Sequence, residues 1–335
     1  MANLKYPVPQ SPTPDEINHA AALLRAGRLV AFPTETVYGL GANALDPDAV
    51  ARIYAVKRRP PTSPLIVHVA SIEMAKPLVA SWPEAADVLT KCFWPGPLTL
   101  VLPLRTSGAM SAPAIPRIVT ASLATVALRM PAHPVALALI RVVGVPLAAP
   151  SANRFTELSP TTAEHVRRSL GNDVDYILDG GPCEVGIEST VLSLAGTNPV
   201  LLRPGGISRR DLESLIGLID SASPLASAEE ASTAHPSPGM HARHYSPRTS
   251  LLLVSNGKLP GQGKGIYLRH TSSPSHSDVK TIQMPAAAAD YAAALYEKLH
   301  QADEAHADWI AVDLPPNAPE WEAVQDRLRR AASKG

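Results

Sequence analysis

The chain has 335 residues, which at roughly 150 residues per domain suggests two domains, and 45% of them are hydrophobic, enough for packed cores at that size. Thirty Lys and Arg balance thirty Asp and Glu, which argues against a protein held to nucleic acid by a global positive field. An aromatic content of 4% argues against a surface of stacking rings for single strands, so any basic site must be local.

The 34 prolines are about twice the average usage but lie scattered between apolar runs, as rigid turns would. Cys92 and Cys183 form neither a disulfide framework nor a CxxC zinc pair, and they read as reduced core thiols. Met1 to Gln10 lacks a basic segment followed by an apolar one, and the most apolar stretch, Val135 to Ala149, is broken by Arg141 and Pro146. The expectation is a soluble cytoplasmic protein without membrane contact.

Thr13, Pro14 and Glu16 form a capping-box signature and Gly27 a stop, which predicts a helix over 14–26. Leu29 to Phe32 reads as a buried strand. Asp46-Pro47 opens a second helix with Val50, Ile53, Tyr54 and Val56 on one face, running into Lys57-Arg58-Arg59-Pro60-Pro61. Strand-like runs follow at 65–69, 98–102, 125–130, 145–149, 176–178, 190–194 and 200–202, with helical windows near 84–92, 134–142, 161–170 and 208–216. Strands outnumber helices, so the expected fold is an α/β sandwich on a mixed sheet.

Composition changes after Gly217. Residues 218–247 are rich in Ser, Ala, Pro and His, as an interdomain linker is, which divides the chain into a first domain over 1–217 and a second over 248–335. In the second, strands are predicted at 251–254, 265–268, 281–284 and 309–313 and helices at 286–304 and 319–332, a smaller open-sheet α/β domain.

Common catalytic signatures are missing: there is no GxxxxGK[ST], HExxH or GxSxG, and the glycine-rich run Gly261 to Gly265 precedes a strand and reads as a loop. His235, His241 and His244 lack a carboxylate or cysteine at ligand spacing. What remains is a set of polar segments at strand ends. Pro33 to Asn43 brings two hydroxyls, a carboxylate and glycines, suited to a small polar ligand or to a turn between two strands. Lys57, Arg58 and Arg59 offer phosphate-binding cations or a solvated helix end. His68 lies on an apolar strand, as core or as ligand. Alternation puts Thr125, Ala127 and Arg129 on one side of their strand, where the arginine must find an anion or water. Ala149 to Asn153, Ser159 to Thr162 (where a helix cap is the plain reading), Gly186 to Thr190 and Leu201 to Gly206 complete the set.

Taken together, the segments PTETVYGLGAN (33–43), KRRP (57–60), PLIVHVA (64–70), WPGPLTLVL (94–102), TVALRMPAHP (125–134), APSAN (149–153), GIEST (186–190) and LLRPGG (201–206) resemble the YrdC-like threonylcarbamoyl-AMP synthases over nearly the whole length. SPGMHARHYSP (237–247) resembles the linker of the long, two-domain members, although Ala242 stands where those commonly carry tyrosine or another large residue. The resemblance implies a YrdC-like twisted open sheet followed by a smaller Rossmann-like domain. It implies formation of threonylcarbamoyl-adenylate and pyrophosphate from L-threonine, bicarbonate and ATP, with Mg²⁺ on the nucleotide and no organic cofactor. The product would pass to the tRNA threonylcarbamoyl-transferase machinery for the adenosine beside the anticodon, with at most weak tRNA contact by this chain.

By the same resemblance Thr34, Thr36, His68, Arg129, Ala149 and Ser189 would hold threonine, Arg129 meeting its carboxylate. Lys57, Arg59, Ser63, Thr125, Ser151, Asn153, Ser159, Arg203, His244 and Tyr245 would hold ATP, with Lys57 and Arg59 as electrostatic catalysts. No general base or protein metal ligand stands out, and residues 237–247 are expected to close over the nucleotide. The rival readings are a hydrogenase-maturation carbamoyl transferase, disfavoured because its Cys-rich zinc region is missing, and an RNA-binding module, disfavoured by the zero net charge.

Overall fold

The computed structural model describes residues 11–105, 114–222, 244–255, 257–270, 276 and 279–332. The linker positions 223–243, with His235, His241 and Ala242, therefore lie outside the described residues, as does most of the segment expected to close over the nucleotide. No helix among the described residues is long and apolar enough to cross a membrane.

The predicted elements form where their end signals are strongest. Helix α1 (Pro14–Arg25) starts on Thr13, whose hydroxyl accepts from the Glu16 N–H while the Glu16 carboxylate accepts from the Thr13 N–H, and α2 (Pro47–Lys57) starts on the Asp46 carboxylate. The remaining helices of the first domain are α3 (Ile72–Ala75), α4 (Glu84–Phe93), α5 (Pro134–Val143), α6 (Ala163–Leu170) and α7 (Arg209–Ile216). Thr162 caps α6, so that helix begins two residues later than expected and Ser159 is left for other work.

Ten strands build one mixed sheet: β1 (Val30–Phe32), β2 (Gly39–Asn43), β3 (Ile66–His68), β4 (Leu98–Pro103), β5 (Thr125–Arg129), β6 (Leu147–Ala148), β7 (Tyr176–Ile177), β8 (Thr190–Ser193), β9 (Val200–Arg203) and β10 (Asp220–Ser221), in the order β10-β9-β8-β4-β5-β3-β6-β2-β1-β7. Three details differ from the sequence expectation. β6 spans two residues instead of 145–149, because Pro146 and Pro150 cannot donate to a ladder. Two glycines hide β2 from propensity, yet the strand needs them: a Cβ on Gly41 would lie 2.7 Å from the Phe32 ring. Strand β10 pairs in parallel with β9, so the first sheet runs past Gly217 into the expected linker.

Helices α2, α4, α6 and α7 cover one face of this sheet through Val50, Ile53, Leu89, Val166 and Leu212. On the other face α1 and α5 pack over the β1–β7 end through Leu24, Leu139 and Ile140. Ile66, His68, Ala127 and Arg129 belong by alternation to that second face, with His68 directly opposite Arg129 in the β3–β5 register. Cys183 is buried, but Cys92 is exposed on α4, which corrects the expectation of two core thiols.

The second domain is a parallel sheet of β11 (Ser250–Val254), β12 (Gly265–Arg269), β13 (Lys280–Gln283) and β14 (Trp309–Asp313) in the order β11-β14-β12-β13, with α8 (Ala288–Asp303) and α9 (Glu322–Ala332) packed on it. The Gly261–Gly265 run is a turn into β12, where a Cβ on Gly265 would overlap the Trp309 ring at 2.1 Å. Between the domains Gly186 (φ +71°) abuts α8 so closely that a Cβ would lie 2.4 Å from the Ala293 carbonyl oxygen. Gly186→Ala should therefore destabilise the protein by about 2–4 kcal/mol, through positive φ and overpacking, read as a shift in the urea midpoint.

His165 of α6 stacks on His300 of α8 with ring centroids 3.8 Å apart, and His300 Nε2 lies 3.1 Å from the Ser159 carbonyl oxygen. Burial, reinforced by His300 and Arg168, pushes His165 down to about 3, and burial pushes His300 down to about 4 against the opposing pull of the Ser159 carbonyl and Asp303. The half-exposed Glu297 carboxylate, 3.3 Å from His165, does not offset this. A folded pKa below the unfolded value of about 6.5 means that the unfolded chain takes up protons the stacked pair refuses, so stability is complete above that pH and falls as pH drops toward 4. The urea midpoint should fall between pH 7.5 and 5, and less steeply in the His165→Gln/His300→Gln double variant; an equal slope in both proteins would contradict the assignment.

Candidate active site

Loops and strand ends of the first sheet, with His244 and Tyr245, line a polar cleft that is partly open to solvent and spans about 550 Å³ including its open mouth. Its wall carries Thr34, Thr36, His68, Arg129, Ala149, Ser151 and Ser189, with Arg59, Arg203, Glu188, His244 and Tyr245 around them.

Loop 33–38 joins the antiparallel strands β1 and β2 and is folded on itself by Thr34. The Thr34 hydroxyl donates to the Val37 carbonyl (2.6 Å) and accepts from the Thr36 and Val37 N–H groups (both 3.2 Å). Thr36 Oγ1 accepts from Arg129 Nη1 at 2.8 Å. Arg129, 4% exposed, meets its anion in Glu35: Nη2 lies 2.7 Å from Oε1. The pair is close without being aligned as a hydrogen bond, and neither Glu35 oxygen nor Arg129 Nη2 has a hydrogen-bond partner among the described residues. Beside Arg129, burial and then the guanidinium charge push His68 down to about 3, so its ring is neutral, with Nδ1 unpartnered among the described residues.

The KRRP segment divides. Lys57 does not line the cavity: its ammonium, 1% exposed, donates to the Ser151 carbonyl at 2.6 Å and to the Asn153 carbonyl, and burial lowers its pKa well below the ordinary lysine value. Arg58 takes the left-handed cap of α2. Arg59 reaches the wall, with Nε and Nη2 donating to the Ser63 and Pro64 carbonyls (3.2 and 3.0 Å) and its guanidinium 5.8 Å from the Phe155 ring centre. Burial pushes Arg59 down to about 10, still cationic at neutral pH. Ser63 thus supports Arg59 from behind, and Asn153 ties its own loop through Nδ2 to the Arg154 and Glu157 carbonyls. Thr125 starts β5, roughly 13 Å of strand from Arg129, and is not part of the lining.

At the opposite wall Arg203 donates through Nε and Nη2 to the Ser189 carbonyl (3.1 and 2.9 Å) and through Nη2 to its hydroxyl (3.2 Å), which also pairs with Thr99 Oγ1 at 2.7 Å. Ser159 stands behind this wall, its hydroxyl donating to Glu188 Oε1. His244 packs edge-on against Phe155 and Tyr245, with centroids 5.7 and 4.1 Å away. Arg59, Arg129 and Arg203 therefore face one space that carries a single carboxylate, Glu188.

Reasoning from sequence missed Glu35 and Glu188, although both lie inside segments singled out there. Each carboxylate stands in a polar segment marked in the sequence, but which cation it meets depends on the tertiary fold. Val37, Gly39, Ile66 and Pro150 complete the lining without a polar side chain to mark them.

Residues 22–205 match the Sua5, YciO and YrdC family model, whose description reads telomere recombination, and residues 207–333 match the model described as threonylcarbamoyl-AMP synthase, C-terminal domain. The threonylcarbamoyl-AMP synthase of Bacillus subtilis is 45% identical over 330 residues, covering 95% of this chain and 93% of the relative. That of Pyrococcus abyssi is 40% identical over 330 residues, covering 95% and 94%. The crystal structure of P. abyssi Sua5 complexed with L-threonine superposes with a TM-score of 0.87 at 39% identity, over 97% of this chain and 96% of that one. With both domain models matched in order and full-length relatives well above 30% identity, the chain belongs to the two-domain branch of the threonylcarbamoyl-AMP synthase family.

Proposed function

We propose that the cavity joins L-threonine, bicarbonate and ATP into threonylcarbamoyl-AMP and pyrophosphate. The observation that carries this reading is the convergence of three buried guanidinium groups, Arg59, Arg129 and Arg203, with the hydroxyls of Thr36 and Ser189 and a neutral imidazole on one cavity. The threonine amine attacks the bicarbonate carbon and water leaves, giving a carbamate; a carbamate oxygen then attacks the α-phosphorus and pyrophosphate departs. Two anions must be held together while charge grows on the phosphates, which is work for preorganised cations and hydroxyls.

In this reading Arg129 Nη2, near Glu35 yet unaligned with it, takes the threonine carboxylate, and neutral His68 and the Thr36 and Ser189 hydroxyls orient the remaining polar atoms. Arg59, Ser151, Arg203, His244 and Tyr245 border the nucleotide. Lys57, Ser63, Asn153 and Ser159 act one layer back, holding the loops that carry these groups. Thr34 shapes the loop that presents Thr36.

Magnesium is proposed to arrive with the nucleotide. Glu188 is already engaged by Arg327, Tyr296 and Ser159, and no group of three or more His, Cys, Asp or Glu side chains among the described residues is placed to hold a metal. In this reading the ion would be held through the nucleotide it accompanies, and it would offset phosphate charge there. The product would be consumed in the cytoplasm by the tRNA threonylcarbamoyl-transferase machinery.

Incubation with ATP, labelled bicarbonate and L-threonine should yield a threonine-dependent labelled adenylate with one pyrophosphate each; no label in any adenylate would overturn the reading. Because removing Arg129 alone strands a buried carboxylate, the informative variant is Arg129→Met with Glu35→Gln. It should raise the threonine KM at least tenfold with the ATP KM little changed, and an unaltered threonine KM would remove the carboxylate contact.

A further inference from the structure

The wall that carries Ser189 and Arg203 is held from outside the first domain. Glu188, buried and next to Ser189, accepts at Oε2 from Arg327 Nε of α9 (2.7 Å) and from the Tyr296 hydroxyl of α8 (3.0 Å), and at Oε1 from Ser159. The other arm of the Arg327 guanidinium donates from Nη2 to the Pro204 carbonyl at 3.1 Å, next to Arg203. One fully buried side chain of the second domain therefore grips both segments of the corner, at 188 and at 204. Those segments are pressed together where Gly205 lies against residues 188–190: a Cβ there would be 2.3 Å from the Thr190 nitrogen.

Charge as well as hydrogen bonding ties this corner together. Burial works to raise the Glu188 carboxyl, but Arg327 and Arg203 outweigh it and hold it below its usual range. Asp326 is shared between Arg327 Nη1 (2.7 Å) and Arg330 Nε (2.9 Å), and the Arg327 guanidinium sits 5.1 Å from the centre of the Tyr245 ring on the cavity wall. Neither Arg327 nor Tyr296 lines the cavity, so neither is placed to touch a reacting atom.

We infer that Arg327 and Tyr296 are positioning residues for the reaction: through Glu188 and the Pro204 carbonyl they set the spacing of Ser189 and Arg203, making the second domain part of the site's architecture. This rests on the function proposed above. A fork is required, because a lysine at 327 keeps the charge but cannot meet the carboxylate and the carbonyl with the same planar geometry.

The test separates geometry from charge balance. Arg327→Met alone strands Glu188, whereas Arg327→Met with Glu188→Gln removes both charges and should return the thermal midpoint to within a few degrees of wild type. Positioning predicts that the double variant stays at least tenfold low in kcat/KM for both threonine and ATP in pyrophosphate release. Arg327→Lys should fold and show a smaller loss, roughly threefold to tenfold, and Tyr296→Phe a loss of a few fold. Glu297→Gln, at the α6–α8 contact, should match wild type. Wild-type kcat/KM in the double variant and in Arg327→Lys would overturn the inference while leaving the reaction standing. A wild-type protein that releases no threonine-dependent pyrophosphate would overturn both.

Discussion

The cost of burying positive charge is the constraint from which the site follows. An uncompensated guanidinium in the interior costs several kcal/mol, and Arg59, Arg129 and Arg203 are each less than a tenth exposed. The fold meets them in two ways. Arg129 has a full counter-charge in Glu35, Arg203 donates to the Ser189 carbonyl and shares the Glu188 charge with Arg327, and Arg59 is met by the Ser63 and Pro64 carbonyls. A carbonyl dipole satisfies N–H groups without cancelling charge. The cavity therefore stays net positive inside a chain whose formal charge is zero.

Holding carbonyls in place requires a stiff backbone, and the loops that supply them are short, proline-bounded and tied at strand ends. Pro60, Pro61 and Pro64 flank the Arg59 acceptors, and Pro150 precedes the Ser151 carbonyl that Lys57 grips. The high proline content thus serves preorganisation. Fixing these turns in the chain lowers the ordering entropy that a ligand would otherwise have to overcome.

Much of this was legible in the sequence where the signal is local. Thr13 with Glu16 and Asp46 before Pro47 mark helix starts because a cap is a contact between residues three apart or fewer. Strand alternation placed Arg129 on one side of β5 with Thr125 and Ala127 and required an anion or water for it, and the structure supplies an anion. The anion itself was not legible, because Glu35 reaches Arg129 only once the sheet has brought the β1–β2 loop to the end of β5. Nor was the pairing of Glu188 with Arg327 across 139 residues. Lys57 shows the same limit at short range: a lysine at a helix end can point its long stem into a ligand site or back into the protein, and here two carbonyls claim it. Strand β2 escaped because Gly39 and Gly41 are poor strand formers, chosen for what they leave room for.

The second domain is joined to the cavity by packing as well as by charge. Val37, Ile187 and Tyr245 from the cavity side belong to the same apolar cluster as Leu295, Tyr296 and Leu328 of the second domain. Tyr245 lies 5.9 Å from Tyr296 ring to ring, so the sparse aromatic residues are partly spent at this junction. A shared core cannot be opened on one side alone without uncovering apolar surface on the other. Free energy gained by filling the cavity is therefore distributed into the second domain, and loss of order there reaches the wall at Tyr245 and Glu188. The two domains are separate in sequence and in sheet topology, yet at this wall they form one mechanical unit.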